Sequence, residues 1–298
     1  MFRSFLSLFV FSALFLSLVT PGFAEGRSSV WWKDTTVVRY NPLGLISAGE
    51  LEYRLRLYES DSALFQTNYV SAALTPILTP AFVRLGGRVE LMPLSLLRLG
   101  VQYEFIPYFG TFDYFQSFED ALAPVDDDSI EANGEDGQNY VTAGTQLSFT
   151  GLLQLKVGPI AARTKVLFGR VSYDVREGDA VFYDPFLDLM LPAEGWVVTN
   201  DLDVLYIAGD LVAGVRHSFL KSMVPLPAGT TDDPNNPIHR LGPLIVYKFA
   251  GDGEGAVTSV SALGLFQLYL VHRHRAGQST SQAIPYTGVG VIVEGQLL

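Results

Sequence analysis

Asp201 and Asp203 stand two residues apart, and His217 follows in the next apolar run. Carboxylates at i, i+2 on an extended chain share one face, and a histidine beside such a pair could activate water for hydrolysis. Ser218 raises a second chemistry, a hydroxyl nucleophile beside a histidine. Neighbours on a strand point to opposite faces, however, so Ser218 and His217 cannot pair directly. His272 and His274 flank Arg273, with Arg275 beyond. Their spacing suits a metal, but no third ligand is near in sequence, so no metal is expected. Between Arg98 and Lys156 there is no basic residue, while Asp113, Glu119, Asp120, Asp126, Asp127, Asp128, Glu131, Glu135 and Asp136 are acidic. The spacing matches no EF-hand-like loop, and a solvated acidic loop is a simpler reading than calcium bridging.

The elements that must position these residues are strands. Gly49 to Tyr58 reads Gly-Glu-Leu-Glu-Tyr-Arg-Leu-Arg-Leu-Tyr, charged side chains alternating with large apolar ones at a period of two. The pattern recurs along the chain with no helix to cover the apolar face, which points to lipid. Met1 to Ala24 has one basic residue, an apolar stretch from Phe5 to Val19, then Pro21-Gly22-Phe23-Ala24. That order predicts a cleaved secretory signal peptide over 1–24. The chain has no cysteine, which excludes disulfides, thiolate metal sites and a cysteine nucleophile. It is 48% hydrophobic and only 17% charged. An exported chain that apolar, with no further spanning helix, fits a closed β-barrel. The net charge is −11, and loss of Arg3 with the signal makes it more negative, so nucleic acid is not expected as a partner.

Residues 25–44, with Trp31, Trp32 and Tyr40, read as a periplasmic lead-in before a barrel over 45–298. Ten strands are predicted, near 45–58, 80–92, 96–109, 139–157, 160–174, 195–208, 211–221, 240–250, 255–274 and 283–297, with eight and twelve as alternatives. Long connections alternate with short ones, the first long one over 59–79. This rhythm belongs to an up-and-down transmembrane antiparallel barrel with tight periplasmic turns and long outer loops.

The alternation assigns faces. Glu50, Glu52, Arg54 and Arg56 point into the lumen, with Arg84, Arg88, Glu90, Arg98, Glu104, Asp203, Arg216 and Glu294 from other strands, because a mid-bilayer arginine facing lipid costs roughly 2–4 kcal/mol. A turn centred on Leu94 opposes Glu90 to Arg98 and Arg84 to Glu104. A two-residue turn at Gly209-Asp210 opposes Asp203 to Arg216 and puts His217 opposite Leu202, outside the lumen. Strand 160–174 carries Arg163 and Lys165 on one parity and Arg170 on the other, which a bulge near Gly169 would reconcile.

Through signal, alternating strands, loop rhythm and a final amphipathic strand Tyr286 to Leu298, the chain resembles Gram-negative outer-membrane β-barrel proteins over its mature length. The ending Gln296-Leu297-Leu298 departs from the terminal aromatic common in that class. The resemblance implies outer-membrane lipid, lipopolysaccharide and the barrel assembly machinery as partners, and no cofactor. His272, His274 and Arg275 are then candidates for lipopolysaccharide contact. The expected role is a structural barrel or narrow small-solute pore with acidic outer loops. An omptin-like or lipid-modifying rim enzyme is the alternative, but the face assignment puts both aspartates near the short turn and His217 outside.

Overall fold

The computed structural model describes residues 27–298 apart from 232, 234, 235, 252, 254 and 272–283. The expected signal peptide and His272, His274 and Arg275 therefore lie outside the described residues.

In chain order the elements are β1 (Ser28–Tyr40), β2 (Gly44–Arg56), β3 (Tyr69–Leu74), β4 (Ile77–Leu78), β5 (Val83–Leu94), β6 (Leu97–Phe109), β7 (Ser117–Phe118), α1 (Asp127–Glu135), β8 (Val141–Val157) and β9 (Ile160–Tyr173). They continue with β10 (Val181–Asp184), β11 (Leu189–Pro192), β12 (Glu194–Ala208), β13 (Leu211–Ser222), β14 (Ile238–Ala250), β15 (Ser259–Val271) and β16 (Tyr286–Gln296). Each wall strand pairs antiparallel with its neighbours, and β1 pairs with both β16 and β2, so the sheet closes on itself. Counting β3 and β4 as one interrupted strand, the barrel has twelve strands rather than about ten. Closure leaves no unpaired edge.

The two additional strands come from segments that the sequence pattern assigns elsewhere. Residues 28–40 are not a lead-in but the closing strand β1. Asp34 and Thr36 fall on the outward parity of β1 and spoil its alternation, and both Thr36 Oγ and Ser47 Oγ donate to the Asp34 carboxylate. The supposed loop 59–79 contains β3 and β4, which bear no charge to mark an inward face. Pro76 interrupts them, yet its carbonyl accepts from Gly49 N at 2.8 Å, and Thr75 N donates to Gly86 O at 2.8 Å. The wall thus continues past the missing donor.

Both termini of the wall lie at one end, where Val30 N donates to Leu298 O and Leu297 N to Val30 O. This terminal end also carries the connections 57–68, 95–96, 158–159, 209–210 and 251–258; the opposite, loop end carries 41–43, 79–82, 110–140, 174–193 and 223–237. Residues 57–68 join the terminal end, with Ser95 N donating to Leu64 O, so the two N-terminal hairpins do not follow the long-short rhythm.

The outward face is apolar and uncovered by the chain itself. Val89, Leu153 and Leu268 are 60, 55 and 49% exposed, while Glu52, Glu104, Asp203 and Gln267 on the inward parity are buried. Arg170 is a local exception. No bulge occurs at Gly169, since β9 keeps continuous register with β8 and β12. Arg170 simply faces outward near the loop end and pairs with exposed Glu194 at 2.6 Å.

The loop end is filled. Strands β7, β10 and β11 make a small second sheet, ordered β11-β10-β7, from the connections after β6 and β9. Phe115, Phe182, Leu189 and Leu191 pack against inward wall residues Ile106, Tyr108, Val171, Tyr173, Val197, Leu220 and Ile238. Phe115 stacks on Phe182 with ring centroids 4.6 Å apart. A second cluster joins Ala121, Val125 and Ile130 of the acidic connection to Val181, Tyr183 and Met190. That connection is structured rather than simply solvated: Asp126 caps α1 by accepting from Ser129 N at 2.9 Å, and Ile130 anchors the helix to the insert.

Candidate functional site in the lumen

The inward parity of the strands brings the charges together in two layers. In the terminal half, Arg54 pairs with Glu52 at 2.6 Å, Arg88 with Glu50 at 2.7 Å and with Glu90 at 3.5 Å, and Arg98 with Glu90 at 3.3 Å. Tyr69 donates its hydroxyl to Glu90 at 3.1 Å. On the facing wall Asp203 is clamped from both flanking strands, by Arg163 of β9 at 2.6 Å and Arg216 of β13 at 2.7 Å. Ser218 Oγ donates to Asp201 at 2.6 Å, and Gln267 Nε2 donates to Ser218 Oγ at 3.0 Å.

All three ion pairs expected from turn arithmetic form, but by two routes. Asp203 stands directly opposite Arg216, as expected. The β5–β6 hairpin instead pairs Glu90 with Gly100 and Glu104 with Gly86, two residues from the expected register, because the strands shift near the turn. A shift of two preserves the faces, so Arg98 reaches Glu90 and Arg84 reaches Glu104 diagonally. Arg56 donates only to the Tyr58 carbonyl at 3.1 Å, and Glu294 accepts from Ser259 Oγ at 2.9 Å; neither is in an ion pair among the described residues.

In the loop-side half, Arg84 makes a bidentate pair with Glu104 at 3.0 and 2.8 Å and also donates to Gln146 Oε1 at 3.0 Å. Its guanidinium lies 4.8 Å from the ring centroid of Phe186, in the turn between β10 and β11. That turn is held from several sides. Arg39 of β1 donates to the Pro42, Pro185 and Phe186 carbonyls, at 3.1, 2.5 and 2.9 Å. Tyr108 donates to Asp184 at 3.2 Å, and Tyr183 and Tyr269 donate to Asp188 at 2.7 and 3.0 Å. Burial pushes the Asp184 carboxyl above the usual carboxylate range, against the opposing pull of Arg84, the Phe186 amide, Tyr108 and Arg39.

Lys33, Arg39, Arg163, Lys165, Asp184, Asp188 and Arg240 belong to this lumen and were missed by the sequence pattern. Lys33 and Arg39 went with the lead-in. Arg163 and Lys165 lay on a strand whose parity was obscured by Arg170, and the two aspartates lay in a supposed loop.

The residues with catalytic spacing are not brought together. His217 registers with Leu202 on the outer face, and its Nε2 lies 3.1 Å from His239 Nδ1. The wall separates it from Asp201 and Asp203, and Ser218 meets an aspartate without a histidine. Among the described residues no group of three or more His, Cys, Asp or Glu could hold a metal ion. The arrangement neutralises buried charge, and among the described residues it brings no hydroxyl nucleophile together with a histidine base.

No family model matches the chain, and no curated protein matches it. Among solved structures it is similar to CdiB from Acinetobacter baumannii, with 8% identity and a TM-score of 0.39 over 91% of this chain and 61% of that one. The translocator domain of autotransporter NalP from Neisseria meningitidis gives 9% and 0.36 over 99% and 97%. The outer membrane protein Omp33 of Acinetobacter baumannii gives 9% and 0.38 over 91% and 98%. The chain thus spans less than two thirds of CdiB but nearly all of the other two. At such identities and scores the likeness adds nothing to what strand pairing already establishes. The chain is a closed antiparallel β-barrel with an apolar outer wall and a charged lumen.

Proposed function

We propose that the chain is an integral outer-membrane barrel of a Gram-negative envelope, exported through a signal over 1–24, and that it rests closed: a structural or narrow small-solute barrel stoppered at its loop end. The uncovered apolar wall supports placement in lipid: the wall's arginines and glutamates point into the lumen, except for the outward Arg170–Glu194 pair near the loop end. In this reading the terminal end faces the periplasm and meets the assembly machinery, while the acidic connection and α1 face outside beside lipopolysaccharide. A twelve-strand bore exceeds what wall side chains alone fill, which makes the insert the element that decides passage.

The observation that carries the closed reading is the Arg39 latch on the carbonyls of Pro185 and Phe186, with the apolar insert packed above it. Planar-bilayer recordings of the purified protein test it. The wild type is expected to show no steady conductance steps, and Arg39→Ala to show intermittent openings. Steady wild-type conductance of the open-porin kind would overturn it. The enzyme alternative gains no support, because the acid and histidine face opposite sides of the wall.

A further inference from the structure

The lumen presents a positive surface inside an acidic protein. Three of its ion pairs are asymmetric in one direction: Arg54, Arg98 and Arg163 expose 28, 33 and 43% of their side chains, while their partners Glu52, Glu90 and Asp203 expose 1, 6 and 1%. The carboxylates are sunk into the wall, and the guanidiniums stand towards the space. Lys33 and Lys165 add two ammonium groups. Both are on the inward parity, Lys33 opposite Glu50 and Glu294, and Lys165 opposite Asp201 and Leu152. Both are exposed to water although the wall encloses them, and neither has an ion-pair partner within 4 Å among the described residues. The side of Lys165 is set by its register, opposite the inward-facing Asp201 on β12 and two residues from the inward-facing Arg163 on its own strand. Acids are accessible too: Glu50 and Asp201, at 28 and 42%, each already share an arginine, Arg88 or Arg216, and half-buried Glu294, in no ion pair among the described residues, stands opposite Lys33.

From this asymmetry we infer that the terminal half of the lumen is a binding chamber for small polyanions, solutes bearing phosphate or several carboxylates. A guanidinium already paired on one edge keeps N–H donors on the other, and a low-dielectric wall strengthens their attraction for an anion. The acidic connection at the loop end does not oppose this, because the apolar insert and the Arg84–Glu104 layer stand between it and the chamber. The inference deepens the solute-barrel reading by giving the class of solute, and it rests on that reading only for its transport meaning.

The test uses the folded full-length protein in detergent at low ionic strength, titrated calorimetrically with inorganic pyrophosphate and, in parallel, with putrescine as a dication of similar size. Saturable pyrophosphate binding is expected, weakened about tenfold or more in Lys33→Met/Lys165→Met, with no saturable putrescine binding. Heat-modifiable gel migration shows that the double variant is folded; should it not be, Lys33→Gln and Lys165→Gln are read singly, each expected to weaken binding. No pyrophosphate binding, or binding unchanged by the substitutions, overturns the chamber. The closed-barrel reading fails separately, by wild-type conductance. In that event the reversal potential under a salt gradient is expected to report anion selectivity, and cation selectivity would overturn the chamber.

Discussion

Replacing Arg84 by methionine removes one half of a pair in which both side chains are 4% exposed. The wild-type guanidinium makes two bonds to Glu104 and one to Gln146, and it lies over the Phe186 ring of the insert. Methionine fills much of the same volume, so the dominant effect is a buried carboxylate left without its cation, a cost of about 3–5 kcal/mol. Glu104→Gln keeps an acceptor for the guanidinium and gives up charge assistance, for a smaller loss of about 1.5–3 kcal/mol. Arg84→Met/Glu104→Gln removes both charges, and the stability is expected to return to within about 1 kcal/mol of wild type, because the desolvation cost of both ions disappears. Urea unfolding of the four proteins in lipid vesicles, followed by tryptophan fluorescence, closes the cycle. Losses that simply add, to within about 0.5 kcal/mol, would mean that Arg84 and Glu104 do not meet in the folded barrel.

Asp184 makes docking of the insert dependent on pH. Its carboxyl is raised by burial, so the docked state favours the protonated acid. That contribution is fully present below the ordinary carboxylate range and is lost as pH rises through the raised value. Amide protection in β10 and β11, taken relative to the intrinsic exchange rate at each pH, is expected to rise on acidification, and Asp184→Asn to flatten that rise while keeping the acceptor for Phe186 N; a rise unaltered in that variant would contradict it. Two glycines contrast in the wall: a Cβ at Gly242 would overlap the Phe266 carbonyl, whereas one at Gly264 meets nothing within 4 Å. Gly242→Ala is accordingly expected to lower the yield of folded, heat-modifiable barrel sharply and Gly264→Ala to leave it unchanged, and equal yields would count against the β14–β15 packing.

The barrel class was legible because lipid and lumen impose opposite chemistries on alternate residues, as Leu97, Leu99, Val101, Tyr103 and Phe105 against Arg98, Gln102 and Glu104 display on one strand. The same rule hid β1, where Asp34 and Thr36 face outward and satisfy each other with Ser47, and β3–β4, where small uncharged residues and Pro76 give no alternation to read. The lumen pairs were legible because faces survive a register error of two residues. The insert was not. Phe115, Phe182 and Leu191 lie in segments with no periodicity, and their burial is decided by wall residues far away in sequence. His217 illustrates the limit of spacing: near Asp201 and Asp203 in the pairing, it belongs to the other face and to His239.

The closure of the loop end is the centre of the account, and a chain without cysteine allows it to be measured one thiol at a time. Leu191→Cys places a thiol in the insert at a position with no exposed surface, and Lys165→Cys places one in the water-accessible chamber. With both variants folded in lipid vesicles and treated with a small polar maleimide, Lys165→Cys is expected to label and Leu191→Cys to stay unlabelled until the barrel is unfolded. Labelling of Leu191→Cys as fast as Lys165→Cys in the folded protein would mean that the insert does not close the barrel.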